Sequence, residues 1–318
     1  MTHVLALCGG VGGAKLAFGL AAELAAVDLT LAVNTGDDFE HLGLTVCPDI
    51  DTVLYTLAAL SDRERGWGLA GETWNFMAAT RRLGGEDWFQ LGDQDLATHV
   101  ERSRRLAAGE SLSAVTDHLA RALGLKATIA PMSDQPVRTF VRTDEGELAF
   151  QHYFVRERCA PLVRGIRFEG AAQARPSAAL AQALARPDLS AIVICPSNPY
   201  LSVDPILAVP GVYEALKHRT APVVAVSPII AGQALKGPAA KLMAELDVEP
   251  GAPAVARHYA GLIDGLVIDT ADAERAPAVE ALGVRAFVTA SVMRDDDDRR
   301  RLARETLAFA AGLQTVKA

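Results

Sequence analysis

The chain has no C-x-x-C pair, and its four cysteines, Cys8, Cys47, Cys159 and Cys195, lie far apart. That spacing argues against a thiolate metal site and a disulfide framework, and predicts free thiols in a reducing compartment. Basic residues are outnumbered 31 to 39, for a formal charge of −8, and no dense Lys/Arg cluster stands out. A general nucleic-acid binder needs a basic face that this composition does not supply. No Lys or Arg precedes the short apolar stretch at the N-terminus, so no secretory signal is predicted. The most hydrophobic long window, residues 16–33, is broken by Glu23 and Asp28 and falls short of a membrane span. Internal repeats and long linkers are lacking as well. A cytoplasmic protein is expected.

What is present is globular material. Of 318 residues, 50% are hydrophobic and 22% charged, too apolar for disorder and enough for a sizeable core. Residues 4–7 form an apolar run, a glycine turn follows, and Leu16, Leu20 and Leu24 then recur at helical spacing. Further apolar runs without alternation occupy 29–33, 191–195, 222–226, 266–268 and 284–288. Helical patterns lie near them at 178–185, 212–216, 239–246 and 300–311. Such runs suit a parallel sheet covered on both faces. The expected fold is a doubly wound α/β sheet of six strands, which binds ligands beyond the strands' carboxyl ends. One domain is expected, its core at 1–51 and 126–318 and a helical insertion at 52–125 on the ligand side. Residues 137–143 and 147–154, joined by Asp144-Glu145-Gly146, read as a hairpin. The run RDDDDRRR at 294–301 reads as a helix start with solvated arginines.

Several segments carry candidate chemistry. Gly9-Gly10-Val11-Gly12-Gly13 joins a strand to a helix, where backbone N–H groups and the helix dipole suit a phosphate. It completes neither a Walker pattern nor a full G-x-G-x-x-G, and a tight turn without ligand also explains it. Asp37, Asp38, Asp49 and Asp51 fall within fifteen residues after the second strand. Carboxylates so grouped suit Mg²⁺, although Asp49 or Asp51 could equally cap a helix. Asp93 is a candidate N-cap, and Asp95 and His99 share a helix face at i, i+4. Ser133 and Arg138, in a turn, could reach a phosphate or carboxylate. Ser197 and Asn198 end one buried strand and Ser227 another. Lys236 and Lys241 follow as candidate phosphate neutralisers. Three strands that end in small polar residues point to one shared crevice.

The segments GGVGGAKL, NTGDDFEHLGLTVCPDIDTVLYTL, GETWN, LGDQDLATH, SDQPVRT, PSNPYLSVDPIL and VSPIIAGQALKGPAAKLM together resemble the CofD family. These are 2-phospho-L-lactate transferases of coenzyme F-420 biosynthesis, with the similar mycobacterial-type FbiA. The resemblance runs from about residue 3 to 312. It implies a Rossmann-like core, a homodimer and a need for Mg²⁺. The implied reaction moves a phospho-three-carbon acid from a guanosine diphosphate-activated donor to the ribityl hydroxyl of the deazaflavin Fo, releasing GMP. By the same resemblance, Asp37 and Asp51 are the metal-site and Fo-site carboxylates, with Asp38 and Asp49 in support. Gly10, Gly12 and Gly13 would hold phosphate, and Ser197, Asn198 and Ser227 would line the nucleotide. Gln90 and Asp93 would contact Fo in a slot shared with Trp67 and Trp74. Gln90 stands where archaeal members often carry Lys, and the opening loop resembles the bacterial branch, which gives enolpyruvate a standing equal to lactate. The related YvcK-like group shares the core and the glycine loop. A non-catalytic nucleotide-sugar or dinucleotide-binding regulator is therefore the alternative.

Overall fold

The computed structural model describes residues 3–235 and 237–317. Seven parallel strands form the central sheet, in the order Arg285–Thr289, Gly265–Asp269, Val223–Val226, Leu189–Ile194, His3–Cys8, Leu29–Val33, Thr128–Pro131. The first strand alternates its side chains between two cores. Val4, Ala6 and Cys8 join one, with Leu16, Leu20, Ile50, Leu54 and Leu302. Leu5 and Leu7 join the other, with Ile192, Ile206 and Leu216. Each fully buried Leu contributes about 1.5–3 kcal/mol, so both faces of the sheet need a helical cover. Gly10–Glu23, Pro48–Leu57 and Asp296–Lys317 supply it on one face.

Counted in chain order, the sheet runs 3-2-1-4-5-6-7 from one edge. Its order reverses between His3–Cys8 and Leu189–Ile194, which pair directly. That is the switch point where α/β sheets leave a crevice.

The sheet has one strand more than the six expected. Thr128–Pro131 pairs with Leu29–Val33 at the sheet edge. It is four residues long and ends in proline, which an edge strand tolerates. The hairpin is also revised. Its strands are Arg138–Thr143 and Gly146–Ala149, and Val163–Glu169 adds a third antiparallel strand. Beyond Ala149 the chain turns helical. Phe150 and Phe154 stack at 5.3 Å, and the buried Tyr153 lies three residues after Phe150, a helical rather than an alternating spacing. The charge run does start a helix, and the Asp295 side chain accepts from the Asp298 N–H at 2.9 Å. Its arginines are not all solvated, however. Arg299 is 4% exposed and lies over the Phe18 ring at 5.2 Å.

Residues 52–125 hold the rest of Pro48–Leu57 and the helices Asn75–Arg82, Asp93–Ala107 and Leu112–Ala122. Two acids tie the middle pair together. Asp93 accepts from the N–H groups of Asn75 (3.1 Å) and Phe76 (3.0 Å), while Glu72 accepts from those of Gln94 (2.9 Å) and Asp95 (2.7 Å). Gly92 leaves room for this, since a Cβ there would collide with the Glu72 carboxylate. Cys8, Cys47 and Cys195 are buried, Cys159 is half-buried, and all four are free. Among the described residues no helix is long and apolar enough to cross a membrane.

Candidate active site

The glycine turn and the Pro196–Ser197 turn meet at the switch point. The Ser197 hydroxyl accepts from the Gly9 N–H (3.1 Å) and donates to the Gly9 carbonyl (2.9 Å), joining residues 188 apart in sequence. A Cβ on Gly12 would collide with the Pro196 carbonyl, so this glycine is required by close packing. Gly13 likewise lies against Ser197, where a Cβ would come within 2.6 Å of the hydroxyl. Gly10 has φ +63°, in the left-handed region that glycine adopts without strain.

Asn34, at the carboxyl end of Leu29–Val33, organises the next layer. Its side-chain nitrogen donates to Asp37 (3.0 Å) and Asp49 (2.9 Å), and its oxygen accepts from the Gly36 N–H (2.8 Å). The other Asp49 oxygen accepts from the Gly10 N–H at 2.7 Å. The first helix therefore begins against a carboxylate, where its dipole favours negative charge. The next N–H groups, of Val11 to Gly13, have no acceptor within the helix by its geometry. Burial, then the negative charge of Asp49, pushes the Asp37 carboxyl well above the usual range, against the Asn34 hydrogen bond. Burial raises Asp49 to about 6, opposed by Asn34 and the Gly10 N–H. Asp38 is raised to about 7 by burial, with Arg138 as the main opposing charge. A buried carboxylate raised by a second one beside it marks a site short of positive charge.

Asp51 stands apart from them. The helix starts at Pro48, so Asp49 and Asp51 are two positions apart and point to different faces. Both Asp51 oxygens are gripped by the guanidinium of Arg102, which is wholly buried. Arg102 also donates to His99 Nδ1 at 3.2 Å. Because arginine only donates, the His99 proton sits on Nε2, which faces Asp95 at 3.3 Å. The Tyr55 hydroxyl donates to the same Asp95 at 2.6 Å. Burial by itself would raise Asp95, but the neighbouring His99, the Tyr55 hydrogen bond and the Arg102 charge outweigh it and hold the carboxyl below its usual value.

The whole chain can now be set beside known proteins. A family model described as 2-phospho-L-lactate transferase CofD matches residues 4–306. The chain belongs to the CofD family. A phosphoenolpyruvate transferase of Kitasatospora aureofaciens is 45% identical over 315 residues, covering 97% of this chain and 98% of that protein. A 2-phospho-L-lactate transferase of Methanosarcina mazei is 39% identical over 295 residues, covering 93% and 96%. A solved UPF0052-family protein of Bacillus halodurans has a TM-score of 0.62 at 17% identity, covering 96% of this chain and 98% of its own. That likeness concerns the fold alone.

In this CofD-family chain the remaining candidate residues take varied places. The Asn198 side-chain oxygen accepts from the N–H groups of Tyr200 (3.0 Å) and Leu201 (3.4 Å), while its Nδ2 is buried without a hydrogen-bond partner and is available to a ligand. Ser227 closes its own turn on Ile229. Gln90 donates to the Asp87 carbonyl at 2.5 Å, beside an aromatic group in which Phe39 meets Phe89 (4.8 Å) and Trp88 meets His152 (4.7 Å). Asp93 is not the cap of its own helix, where Gly92 stands, but caps Asn75–Arg82, and these contacts hold its carboxyl down to about 2, the Thr73 hydroxyl first. Trp67 and Trp74 flank the Arg65 guanidinium at 5.0 and 4.8 Å. The Ser133 hydroxyl accepts from the Gln135 N–H at 3.0 Å. Lys241 is paired with Glu245 at 2.5 Å and bonds the Pro161 carbonyl. Lys236 lies outside the described residues.

Sequence reasoning gave Asn34 no role and passed over Arg102. Asn34 was marked by its place at a strand's carboxyl end. Arg102 extends Asp95 and His99 to the i, i+4, i+7 spacing of one helix face.

Proposed function

We propose that the protein transfers a phospho-three-carbon-acid group from a guanosine diphosphate-activated donor to the terminal ribityl hydroxyl of the deazaflavin Fo. GMP leaves, and the product belongs to coenzyme F-420 biosynthesis. The observation that carries this reading is the buried Asp37–Asp49 pair, tied by Asn34 at the switch point. It supports phosphoryl chemistry in a chain similar to enzymes named phosphoenolpyruvate transferase and 2-phospho-L-lactate transferase. The greater identity to the former, 45% against 39%, favours enolpyruvate as the acid.

In the reaction the hydroxyl oxygen forms a bond to the phosphorus that bears the acid. The anhydride bond to GMP breaks, and the hydroxyl proton passes to a carboxylate of the same cluster. Such transfers depend on positioning and charge neutralisation more than on covalent chemistry. Among the described residues no three acidic, His or Cys side chains converge on one point, and the carboxylate pair Asp37 and Asp49 would suit Mg²⁺. It takes one or two carboxylates and completes its shell with water and substrate phosphates, and Asp37 and Asp49 would hold it. Bound there, the ion supplies charge neutralisation to the diphosphate. Val11 to Gly13 offer backbone N–H groups to a phosphate, and the unpartnered Asn198 amide offers a further donor. Arg102 keeps Asp51 fixed for hydrogen bonding to the polar edge of Fo. The aromatic side chains around Gln90 suit one wall of a slot for its flat rings. A homodimer in the cytoplasm completes the reading.

The test is a transfer assay followed by mass spectrometry. Purified protein, Mg²⁺ and Fo are mixed with guanylyl-activated enolpyruvate, lactate and glycerate in parallel. The expected product is Fo plus one phospho-acid with an equal amount of GMP, greatest for enolpyruvate. Folded protein that yields no product with any donor, in the presence of intact Fo, sinks the proposal.

A further inference from the structure

The insertion meets the helix of the site aspartates through a buried polar face. Asp51 and Tyr55 lie at i, i+4 on Pro48–Leu57 and share one side of it. Asp95, His99 and Arg102 follow i, i+4, i+7 on Asp93–Ala107. None of the five is more than 7% exposed. Tyr55 reaches Asp95 at one end of this face, and Arg102 grips Asp51 at the other. His99 links the two. Its Nδ1 takes the Arg102 bond at 3.2 Å, while its Nε2 approaches Asp95 at 3.3 Å without hydrogen-bond alignment. The imidazole is thus tied more firmly to the arginine than to the acid.

Arginine only donates, so His99 Nδ1 carries no proton. Among the described residues the Asp51 carboxylate accepts from Arg102 alone, and the lie of the guanidinium therefore sets the aim of Asp51. An arginine side chain is long and rich in rotamers, so a single contact leaves its head group free to swing. The nitrogen that meets Asp51 Oδ2 is Nη1, which also donates to His99 and, at 3.4 Å, to the Thr45 carbonyl. Of these two restraints the imidazole is the closer, and the one a side-chain substitution can remove. The reading above gives Asp51 the polar edge of Fo, where a displacement of about 1 Å is costly. We propose that His99 is a positioning residue for the acceptor substrate: its bare Nδ1 orients Arg102, and Arg102 orients Asp51 toward Fo. The inference rests on the transferase reading for the identity of the acceptor, and adds the side chain that aims the carboxylate meeting it.

The experiment compares wild type with His99→Leu, His99→Asn and His99→Gln. His99→Leu removes both nitrogens. His99→Asn keeps an acceptor oxygen in the position of Nδ1, and His99→Gln keeps a polar group only in the position of Nε2. Fo affinity is read from Fo fluorescence during titration, steady-state transfer gives KM and kcat, and circular dichroism reports folding. The expected result for His99→Leu is a loss of Fo affinity of about tenfold, the usual effect of losing a hydrogen bond to a charged group. The donor KM stays within about twofold. His99→Asn stays within about threefold of wild type for Fo, and His99→Gln follows His99→Leu. Folded His99→Leu that binds Fo as wild type does overturns the proposal. So does recovery by His99→Gln instead of His99→Asn, or an equal loss toward donor and Fo, which would mark a purely structural role. Should His99→Leu fail to fold, the contrast between His99→Asn and His99→Gln decides alone. If wild type binds Fo but transfers nothing, the transferase reading fails separately and the titrations still decide His99. If wild type binds no Fo, both fail. Nitrogen NMR of isotope-labelled histidine in the ligand-free protein adds an independent check, and a protonated His99 Nδ1 overturns the proposal whatever is transferred.

Discussion

Arg102, itself wholly buried, holds both carboxylate oxygens of Asp51. The pair fastens the helix that carries the site aspartates to a helix of the insertion, Asp93–Ala107. A buried ion pair contributes little net stability, yet losing one partner strands a charge. Arg102→Met is expected to destabilise the protein by about 3–5 kcal/mol. Arg102→Met combined with Asp51→Leu should recover most of that loss. Urea denaturation midpoints check both. A single variant as stable as wild type would mean that Asp51 is solvated or protonated.

Asn34 makes the same kind of link on the other side of that helix. Its amide donates to Asp37 and Asp49 while accepting from Gly36. Asn34→Leu keeps the volume but removes every one of these bonds. Misplacement of reacting groups by about 1 Å costs on the order of a hundredfold in rate. Transfer by Asn34→Leu is expected to fall by about that factor, with circular dichroism showing a retained fold. A loss under about threefold would leave Asn34 without a positioning role.

The raised carboxyls set a pH dependence for the ligand-free protein. Asp49 titrates at about 6 and Asp38 at about 7 in the fold, against about 3.9 in an unfolded chain. Between those values the folded state binds more protons, so stability falls as pH rises. From pH 5 to 7.5 the melting temperature of wild type should therefore decline more than that of Asp49→Asn. Identical slopes would place Asp49 in a solvated environment.

The reciprocal caps of Glu72 and Asp93 predict a local effect. Asp93→Ala removes the acceptor for the N–H groups of Asn75 and Phe76. Amide hydrogen exchange should rise in residues 75–78 while the central sheet stays protected. Depression of the Asp93 carboxyl to about 2 keeps this cap ionised above its unfolded value near 3.9, and it is lost as pH falls toward 2. Exchange that increases equally in the sheet would argue that the insertion and the core unfold together.

The sheet was legible because its strands are uninterrupted apolar runs, such as Leu29–Val33 and Val223–Val226. Thr128–Pro131 escaped because four residues ending in proline carry neither length nor period. The glycine turn was legible as a turn, but the reason for Gly12 was not, because it depends on a Pro196 carbonyl far along the chain. The four aspartates read as one cluster, whereas helix phase separates Asp49 from Asp51 once the helix is known to start at Pro48. Arg102 could be placed on the Asp95–His99 face by spacing alone. Its partner Asp51, on another helix, could not.

The Ser197–Gly9 clip spans 188 positions, and this fixes when a site can exist. A chain emerging from the ribosome has its glycine turn and its aspartates early, but the opposite wall of the crevice arrives only with residues 196–198. Closing so long a loop is slow and late in folding. Any ligand held across that seam thus binds only once both walls are joined, and it stabilises the joined state by mass action. Chains that end short of residue 198 would be blind to it, so binding at the switch point reports that both walls have been made and joined.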